Sequence, residues 1–245
     1  MLLTVILLIA APFAGSFLGV LVRRLPAGRP IAWARSQCES CGQNLHALDL
    51  VPLVSFAALR GRCRHCGGPI DRFHPAIELA AIGVAAWAAL AAGDDGPRLL
   101  ASCILGWLLL AAAWIDAGYF VLPDAITLPA VVAGLAATWW LDPAAIADHA
   151  AAAMFGYGVF RGIALAYRRL RGRDGLGAGD AKLLAASGAW LGLSSLPSVV
   201  LAAALLGLMW AALLAWREGA MTRLTPIPFG PSLALATWLI WLYAA

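Results

Sequence analysis

Long apolar runs separated by short polar connections extend along most of the chain. Eight of these runs approach the length of about 20 apolar residues that a membrane-spanning helix requires. The predicted spans cover residues 2–22, 75–92, 98–115, 120–140, 144–167, 181–196, 197–216 and 228–245. The pattern therefore predicts an all-α polytopic membrane protein with about eight transmembrane helices in a lipid bilayer.

Composition agrees with this fold class and excludes an ordinary soluble domain. Of the 245 residues, 62% are hydrophobic and only 12% are charged, and the mean hydropathy is +0.84. The first apolar run is followed by Arg23-Arg24-Leu25-Pro26 and not by a small-residue cleavage site, so we expect a retained helix. The basic residues flank spans and form no groove, so no nucleic-acid partner is expected despite the net charge of +4.

The distribution of charge predicts the orientation in the membrane. The connections after the first, fifth and seventh runs are basic, whereas the others carry mostly aspartates. Because basic connections stay on the cytoplasmic side, both termini are expected to face outward. The basic set is Arg23, Arg24, Arg29, Arg35, Arg60, Arg62, Arg64, Arg72, Arg168, Arg169, Arg171, Arg173, Arg217 and Arg223.

The connection at residues 23–74 is the only one large enough for a soluble subdomain, and it is too small to be stable by apolar burial alone. Two C-x-x-C pairs separated by 21 residues could stabilise it by binding a metal or by forming crosslinks. Gly42 and Gly67 follow the pairs, where the chain is expected to turn in a left-handed conformation. The cysteines are Cys38, Cys41, Cys63 and Cys66. Four thiolates suit a closed, structural zinc site. Two disulfides or a redox pair are the alternatives, although cytoplasmic thiols stay reduced.

These features predict three parts of the chain. Residues 1–22 form the first transmembrane helix, residues 23–74 form a cytoplasmic zinc-binding subdomain, and residues 75–245 form a multi-helix membrane domain. A zinc ion with four protein ligands has no open position for water, so the chemistry is expected in the membrane domain.

Two aspartates in the membrane domain are the candidate catalytic residues. Asp116 ends the third run, and Asp180 follows a glycine-rich stretch and opens the sixth, so the predicted topology places both at the cytoplasmic face. A charged residue at the centre of a membrane helix costs about 2.5–3.5 kcal/mol, so an acid at such an edge indicates function. A lone aspartate would be interpreted first as a helix-boundary or capping residue, but two such acids and a turn with three glycines weaken that interpretation.

The chemistry of such a pair is general acid–base catalysis. Repulsion between two carboxyls that share a site keeps one protonated while the other is ionised. The ionised group can take a proton from water while the neutral group donates to a scissile carbonyl. Asp180, at a helix start, is predicted to ionise more readily than Asp116, at a helix end.

Two further acids have less defined roles. Glu78 is interpreted as a first-turn acid that the helix dipole favours. Asp124 follows Pro123 and is placed to cap or orient the next helix. Two other classes of function remain open at this point: a transporter in which Asp116 and Asp180 bind protons or cations, and a non-catalytic assembly factor that docks partners on the cysteine loop.

Several segments resemble those of one peptidase family. Gly177-Ala178-Gly179-Asp180 resembles the G-x-G-D signature of intramembrane aspartic peptidases, and the wider match is to the type IV prepilin leader peptidases that also N-methylate their products. The order and spacing of the segments make this match specific. Besides the cysteine pairs, they are Gly15-Ser16-Phe17-Leu18, Arg24-Leu25-Pro26, Pro52-Leu53-Val54-Ser55, Arg60-Gly61-Arg62-Cys63, Glu78-Leu79, Ile115-Asp116, Leu122-Pro123-Asp124, residues 175–192 and Pro228-Phe229-Gly230-Pro231.

The resemblance implies a bacterial inner-membrane enzyme. Its substrates would be prepilins and type II secretion pseudopilins, whose basic leader is removed at the cytoplasmic face, with Asp116 and Asp180 as the catalytic aspartates. It also implies N-methylation of the new N-terminal residue from S-adenosylmethionine, linked to the segment of the four cysteines. The sequence assigns no residue to that cofactor, because Gly175, Gly177 and Gly179 lie between membrane spans and not in a β-α unit.

Overall fold

The structure is a computed structural model that describes residues 1–31, 35–172, 175, 177–218 and 226–244. Regular structure in these ranges is helical apart from two isolated β-bridges, which confirms the predicted all-α class. The α-helices within them are α1 (Leu2–Arg24), α2 (Val54–Ala58), α3 (Phe73–Ala92), α4 (Gly96–Tyr119), α5 (Asp124–Leu141), α6 (Ile146–Arg171), α7 (Ala178–Leu191), α8 (Leu196–Glu218) and α9 (Gly230–Tyr243). The predicted basic residues Arg173 and Arg223, and Leu176 of the glycine-rich stretch, lie outside the described residues.

Six of the described helices are long and apolar enough to cross a membrane, so the protein is a multi-pass membrane protein. They are α1, α3, α4, α5, α6 together with the 3₁₀ turn before it, and α8. The other two predicted spans, 181–196 and 228–245, overlap α7 and α9, which have 14 residues each. Such a helix is about 21 Å long, less than the about 30 Å of a hydrocarbon core. The predicted count of eight spans is therefore not confirmed.

The chain divides into two compact units, Met1–Cys103 and Ile104–Ala245. In the first unit α1 packs against α3, and the connection between them contains a 3₁₀ turn at Ala47–Leu50 and the short helix α2. The boundaries predicted for the cysteine subdomain, 23 and 74, fall near the end of α1 and the start of α3. The division into a subdomain and a membrane domain stays a prediction.

Helix α7 is the core of the second unit. Every residue from Asp180 to Leu191 is buried except Lys182, and α7 contacts α5, α6, α8 and α9. A helix that is apolar on all sides is stable only when other elements surround it. Trp190 donates an indole hydrogen bond to the Ala130 carbonyl at 2.8 Å. These contacts fix the position of α7 and therefore of its first turn.

Candidate active site and metal centre

Asp116 is buried in the last turns of α4, with 6% of its surface exposed. Its Oδ2 accepts a hydrogen bond from the backbone N–H of Gly230 at 2.8 Å. Gly230 is the first residue of α9, and the N-terminus of a helix offers unpaired N–H groups and the positive end of the helix dipole. A Cβ atom at Gly230 would lie 2.7 Å from Oδ2, so a side chain there would collide with the carboxylate.

Asp180 is the third residue of α7 and is also buried, at 7% exposure. Its Oδ2 accepts a hydrogen bond from the backbone N–H of Gly177, the residue that caps the helix, at 3.1 Å. This is one half of a capping box, since glycine has no side chain to return the bond. Asp180 therefore does cap the helix, as a lone aspartate would, and the hydrogen bond from Gly177 holds its carboxylate in place.

The structure brings Asp116 and Asp180 into electrostatic range of each other within the second unit. The helix ends around them also meet: a Cβ atom at Gly179 would lie 2.6 Å from the Cβ of Leu122, in the turn between α4 and α5. Lys182 forms an ion pair with Asp124 at the start of α5. The end of α4 and the starts of α5, α7 and α9 therefore converge on the two carboxylates.

The predicted difference in ionisation between the two aspartates loses its physical basis in this geometry. The prediction rested on Asp180 lying at a helix start and Asp116 at a helix end. Asp116, however, also faces a helix N-terminus, because Gly230 of α9 donates to it. The structure gives each carboxylate one backbone N–H donor and does not distinguish them by the dipole rule.

The two additional acids are placed differently from each other. Asp124 is the first residue of α5 and forms an ion pair with Lys182, two residues after Asp180 in α7. Glu78 lies in the first unit. Because α3 begins at Phe73, Glu78 is in the second turn and the first-turn interpretation is wrong. Its carboxylate accepts a hydrogen bond from the Leu53 N–H at 2.8 Å.

The four predicted cysteine ligands form one cluster in the first unit. Their Sγ atoms all lie within 4.8 Å of one another, and the Sγ atoms of Cys38 and Cys66 are 4.0 Å apart. Ligands at about 2.3 Å in a tetrahedral zinc site are about 3.8 Å from each other. The cluster of Cys38, Cys41, Cys63 and Cys66 therefore could hold a metal ion.

The two cysteine turns have the same backbone geometry. Gly42 donates to the Cys38 carbonyl and Gly67 to the Cys63 carbonyl, each at 2.9 Å. Both glycines have positive φ, +72° and +70°, as the sequence predicted. Backbone hydrogen bonds from Cys41 and Ser40 lower the pKa of Cys38 to about 6. A thiolate is the form of cysteine that binds metal, so these hydrogen bonds favour ligation by Cys38.

Charged side chains connect the cysteine segment to the helices of its own unit. Arg23, near the end of α1, pairs with Glu39 at 3.1 Å and with Asp71, and its guanidinium lies 4.7 Å from the centre of the Phe73 ring. A backbone hydrogen bond from Phe73 and the Arg23 pair lower the pKa of Asp71. These contacts therefore connect the segment to the end of α1 and to the start of α3.

The sequence alone does not reveal two contacts at this site, one to Asp116 and one to Asp124. Gly230 belongs to a motif of the family resemblance that indicates no contact with Asp116, and no sequence pattern predicts the pairing of Asp124 with Lys182. The sequence signal for the first contact is a glycine between Phe229 and Pro231 at the start of an apolar run, which favours a close backbone approach but does not identify the residue approached. Both contacts join residues far apart in sequence, which periodicity does not detect.

Two family models match the chain in succession. The one described as the bacterial peptidase A24 N-terminal domain matches residues 9–92, and the one described as the type IV leader peptidase family matches residues 103–212. The second match contains both Asp116 and Asp180, and the first contains all four clustered cysteines.

Relatives match over most of their length. A protein of Burkholderia pseudomallei strain 1026b is 41% identical, with 90% of this chain and 79% of the relative covered. Proteins of Aeromonas hydrophila and Pseudomonas aeruginosa are 37% and 34% identical, with 94% of this chain and 87% and 86% of the relatives covered. Each of the three is named prepilin leader peptidase/N-methyltransferase. No solved structure matches the chain.

Proposed function

Because this chain belongs to the type IV leader peptidase family, we propose that it is an aspartic endopeptidase that removes the basic leader of prepilins and type II secretion pseudopilins. We propose further that it N-methylates the residue that cleavage exposes. The observation that carries the peptidase activity is the buried pair of Asp116 and Asp180, each oriented by a backbone N–H.

The pair supports hydrolysis without a covalent intermediate. Two carboxyls in one buried site hold a single proton between them, because both cannot ionise against their mutual repulsion. The ionised carboxylate takes a proton from a water molecule as that water attacks the scissile carbonyl carbon. The protonated carboxyl donates its proton to the carbonyl oxygen, which gives a tetrahedral gem-diol. The C–N bond then breaks as the carboxyl that received the proton of the water passes it to the leaving amine, while the other carboxylate takes a proton from one diol hydroxyl and the carbonyl re-forms. The hydrogen bonds from Gly230 and Gly177 fix the orientation of the two groups during these transfers.

The charge distribution supports a site at the cytoplasmic face of the bacterial inner membrane. Arg168, Arg169 and Arg171 end α6, close in sequence to the turn that leads to Asp180. Basic connections remain in the cytoplasm. A substrate with a basic leader in the cytoplasm and an apolar helix in the bilayer would present its cleavage point at that depth.

Zinc is the metal we propose for Cys38, Cys41, Cys63 and Cys66. The distances between their Sγ atoms suit a tetrahedral set of thiolates. Four protein ligands leave no position for a substrate or water, so the ion would stabilise the fold of the segment between α1 and α3 and take no direct part in hydrolysis.

S-adenosylmethionine, when bound, supplies the methyl group for the second activity. None of the contacts in the described ranges indicates a binding site for this cofactor, so we assign no residue to its binding. The methyl acceptor is the amine that cleavage exposes, and it must lose a proton before it can accept the methyl group.

Intact mass spectrometry tests both activities together. Detergent-solubilised protein is incubated with a prepilin, with and without S-adenosylmethionine. We expect loss of the leader in both reactions and an additional methyl increment only when the donor is present. Absence of cleavage across several prepilins and pseudopilins would contradict the proposed peptidase, and cleavage without the increment would contradict the proposed methyl transfer.

A further inference from the structure

Glu78 is a buried carboxylate that neither the aspartate pair nor the cysteine cluster uses. Only 6% of its surface is exposed, and it lies in an apolar helix of the first unit. A buried acid is unfavourable unless hydrogen bonds compensate it, so its partners indicate its role.

The partners of Glu78 come from two other segments of the same unit. Its Oε2 accepts a hydrogen bond from the Leu53 N–H at 2.8 Å, and the hydroxyl of Ser16, in α1, donates to the same carboxylate. The two helices approach closely here, since a Cβ atom at Gly15 would lie 2.7 Å from the Cα of Glu78. The carboxylate of Glu78, on α3, therefore contacts α1 and also binds the backbone of the segment that carries the cysteines.

Leu53 is held in a conformation that is rare for a residue with a side chain. Its φ is +58° and its ψ is −44°, and it lies directly before α2, between the two cysteine pairs. Residues in such regions of φ/ψ space are strained and persist only where the surrounding structure holds them. The hydrogen bond to Glu78 acts on the backbone of this strained residue.

We propose that Glu78 is a positioning residue for methyl transfer: it clamps the strained turn at Leu53 to the α1–α3 pair and so fixes the cysteine segment. This inference rests on the proposed methyltransferase activity. The clamp lies entirely in the unit Met1–Cys103, whereas Asp116, Asp180 and their backbone donors lie in the unit Ile104–Ala245. The leader peptidase family model covers residues 103–212 with both aspartates, so we assign methyl transfer to the part of the chain that the separate N-terminal model matches, residues 9–92. Loss of the clamp should then affect methylation and spare cleavage.

The test compares Glu78→Ala, Glu78→Gln and the control Asp94→Asn, an exposed acid of the same unit outside the cysteine segment. Cleavage rate, the methylated fraction of the cleaved product and bound zinc are measured for each. We expect Glu78→Ala to methylate about tenfold less while it cleaves normally, because the Leu53 N–H loses its acceptor. Glu78→Gln should stay within about twofold of wild type, because its amide oxygen still accepts that bond.

A second variant distinguishes the hydrogen bond of Glu78 to Leu53 from a direct role of the Glu78 charge in methyl transfer. Glycine adopts positive φ without strain, so Leu53→Gly in the Glu78→Ala background should recover part of the lost methylation. Equal impairment of Glu78→Gln and Glu78→Ala without recovery by Leu53→Gly would indicate that the charge itself acts, and would overturn the inference. Normal methylation by Glu78→Ala, or equal loss of cleavage and methylation, would overturn it as well.

The same assay distinguishes failure of this inference from failure of the proposed function. A wild-type protein that cleaves but does not methylate contradicts the methyltransferase assignment before any variant is compared. A wild-type protein with both activities keeps that assignment, and only the variants then decide the role of Glu78.

Discussion

The backbone N–H of Gly230 donates to Asp116 Oδ2 at 2.8 Å, so the first residue of α9 orients a carboxylate that α4 carries. The contact leaves no room for a side chain, because a Cβ atom at Gly230 would approach Oδ2 to 2.7 Å and the Cβ of Asp116 to 3.0 Å. The start of α9 is thus part of the candidate active site, although it contributes no catalytic side chain.

Replacing Gly230 with alanine should therefore reduce cleavage. The methyl group would displace the Asp116 carboxylate, and small misplacements of a catalytic group can lower rates about 100-fold. Initial rates of leader removal, measured by intact mass, test this expectation. Gly158→Ala is the matched control, since a Cβ atom there has no neighbour within 4 Å. Equal rates for the two variants would contradict the contact.

The ion pair of Asp124 and Lys182 predicts the outcome of a charge exchange. The side chains are 59% and 29% exposed, and exposed pairs contribute about 0.2–1 kcal/mol. Asp124→Lys or Lys182→Asp alone should lower cleavage about twofold to fivefold through repulsion near Asp180. The double exchange should recover most of that loss. Independent, additive effects in the double variant would show that the pair does not position the site.

Removal of the metal should separate the two activities. Cys63→Ala eliminates one of four ligands, so we expect the bound zinc and the methylated fraction to fall sharply while cleavage continues. The matched control is Cys103→Ala, a buried cysteine outside the cluster. Metal content by elemental analysis and product mass are the measurements. Full zinc content in the Cys63 variant would contradict the assigned ligand set.

Trp190→Phe should lower the stability of the second unit. It removes the donor of the buried hydrogen bond to the Ala130 carbonyl, and such a bond contributes about 0.5–1.5 kcal/mol. Thermal unfolding in detergent should show a lower midpoint for this variant. Trp139→Phe, at a position that is 64% exposed, should change the midpoint little. Equal midpoints for both would contradict the role of the bond in holding α7.

The sequence was sufficient for features that depend on local pattern. Apolar runs identified the helices that are long enough to span a membrane. The spacing of the cysteines predicted one cluster, and the positions of Gly42 and Gly67 predicted left-handed turns. Each of these properties is decided by residues within a few positions of each other.

Features that depend on distant contacts could not be predicted. The hydrogen bond between Gly230 and Asp116 joins two helices across 114 positions, and it removes the helix-dipole argument for a difference in ionisation between the two aspartates. Helix α7 has the apolar composition of a membrane span, but with 14 residues it does not confirm the predicted span. Its residues are buried among neighbouring helices, which the apolar pattern alone does not distinguish from contact with lipid. The strained backbone of Leu53 likewise depends on a partner, Glu78, in another helix.

The central claim is that Asp116 and Asp180 act as one catalytic pair, and leader removal by Asp116→Asn and Asp180→Asn tests it most directly. Asp142→Asn is the control, because it makes the same chemical change at an exposed position outside the site. Methylation of a product that has already been cleaved shows that each variant is folded. The account predicts that both site variants cleave at least about 100-fold more slowly than wild type, while the control cleaves normally. Cleavage at a wild-type rate by either site variant would contradict it.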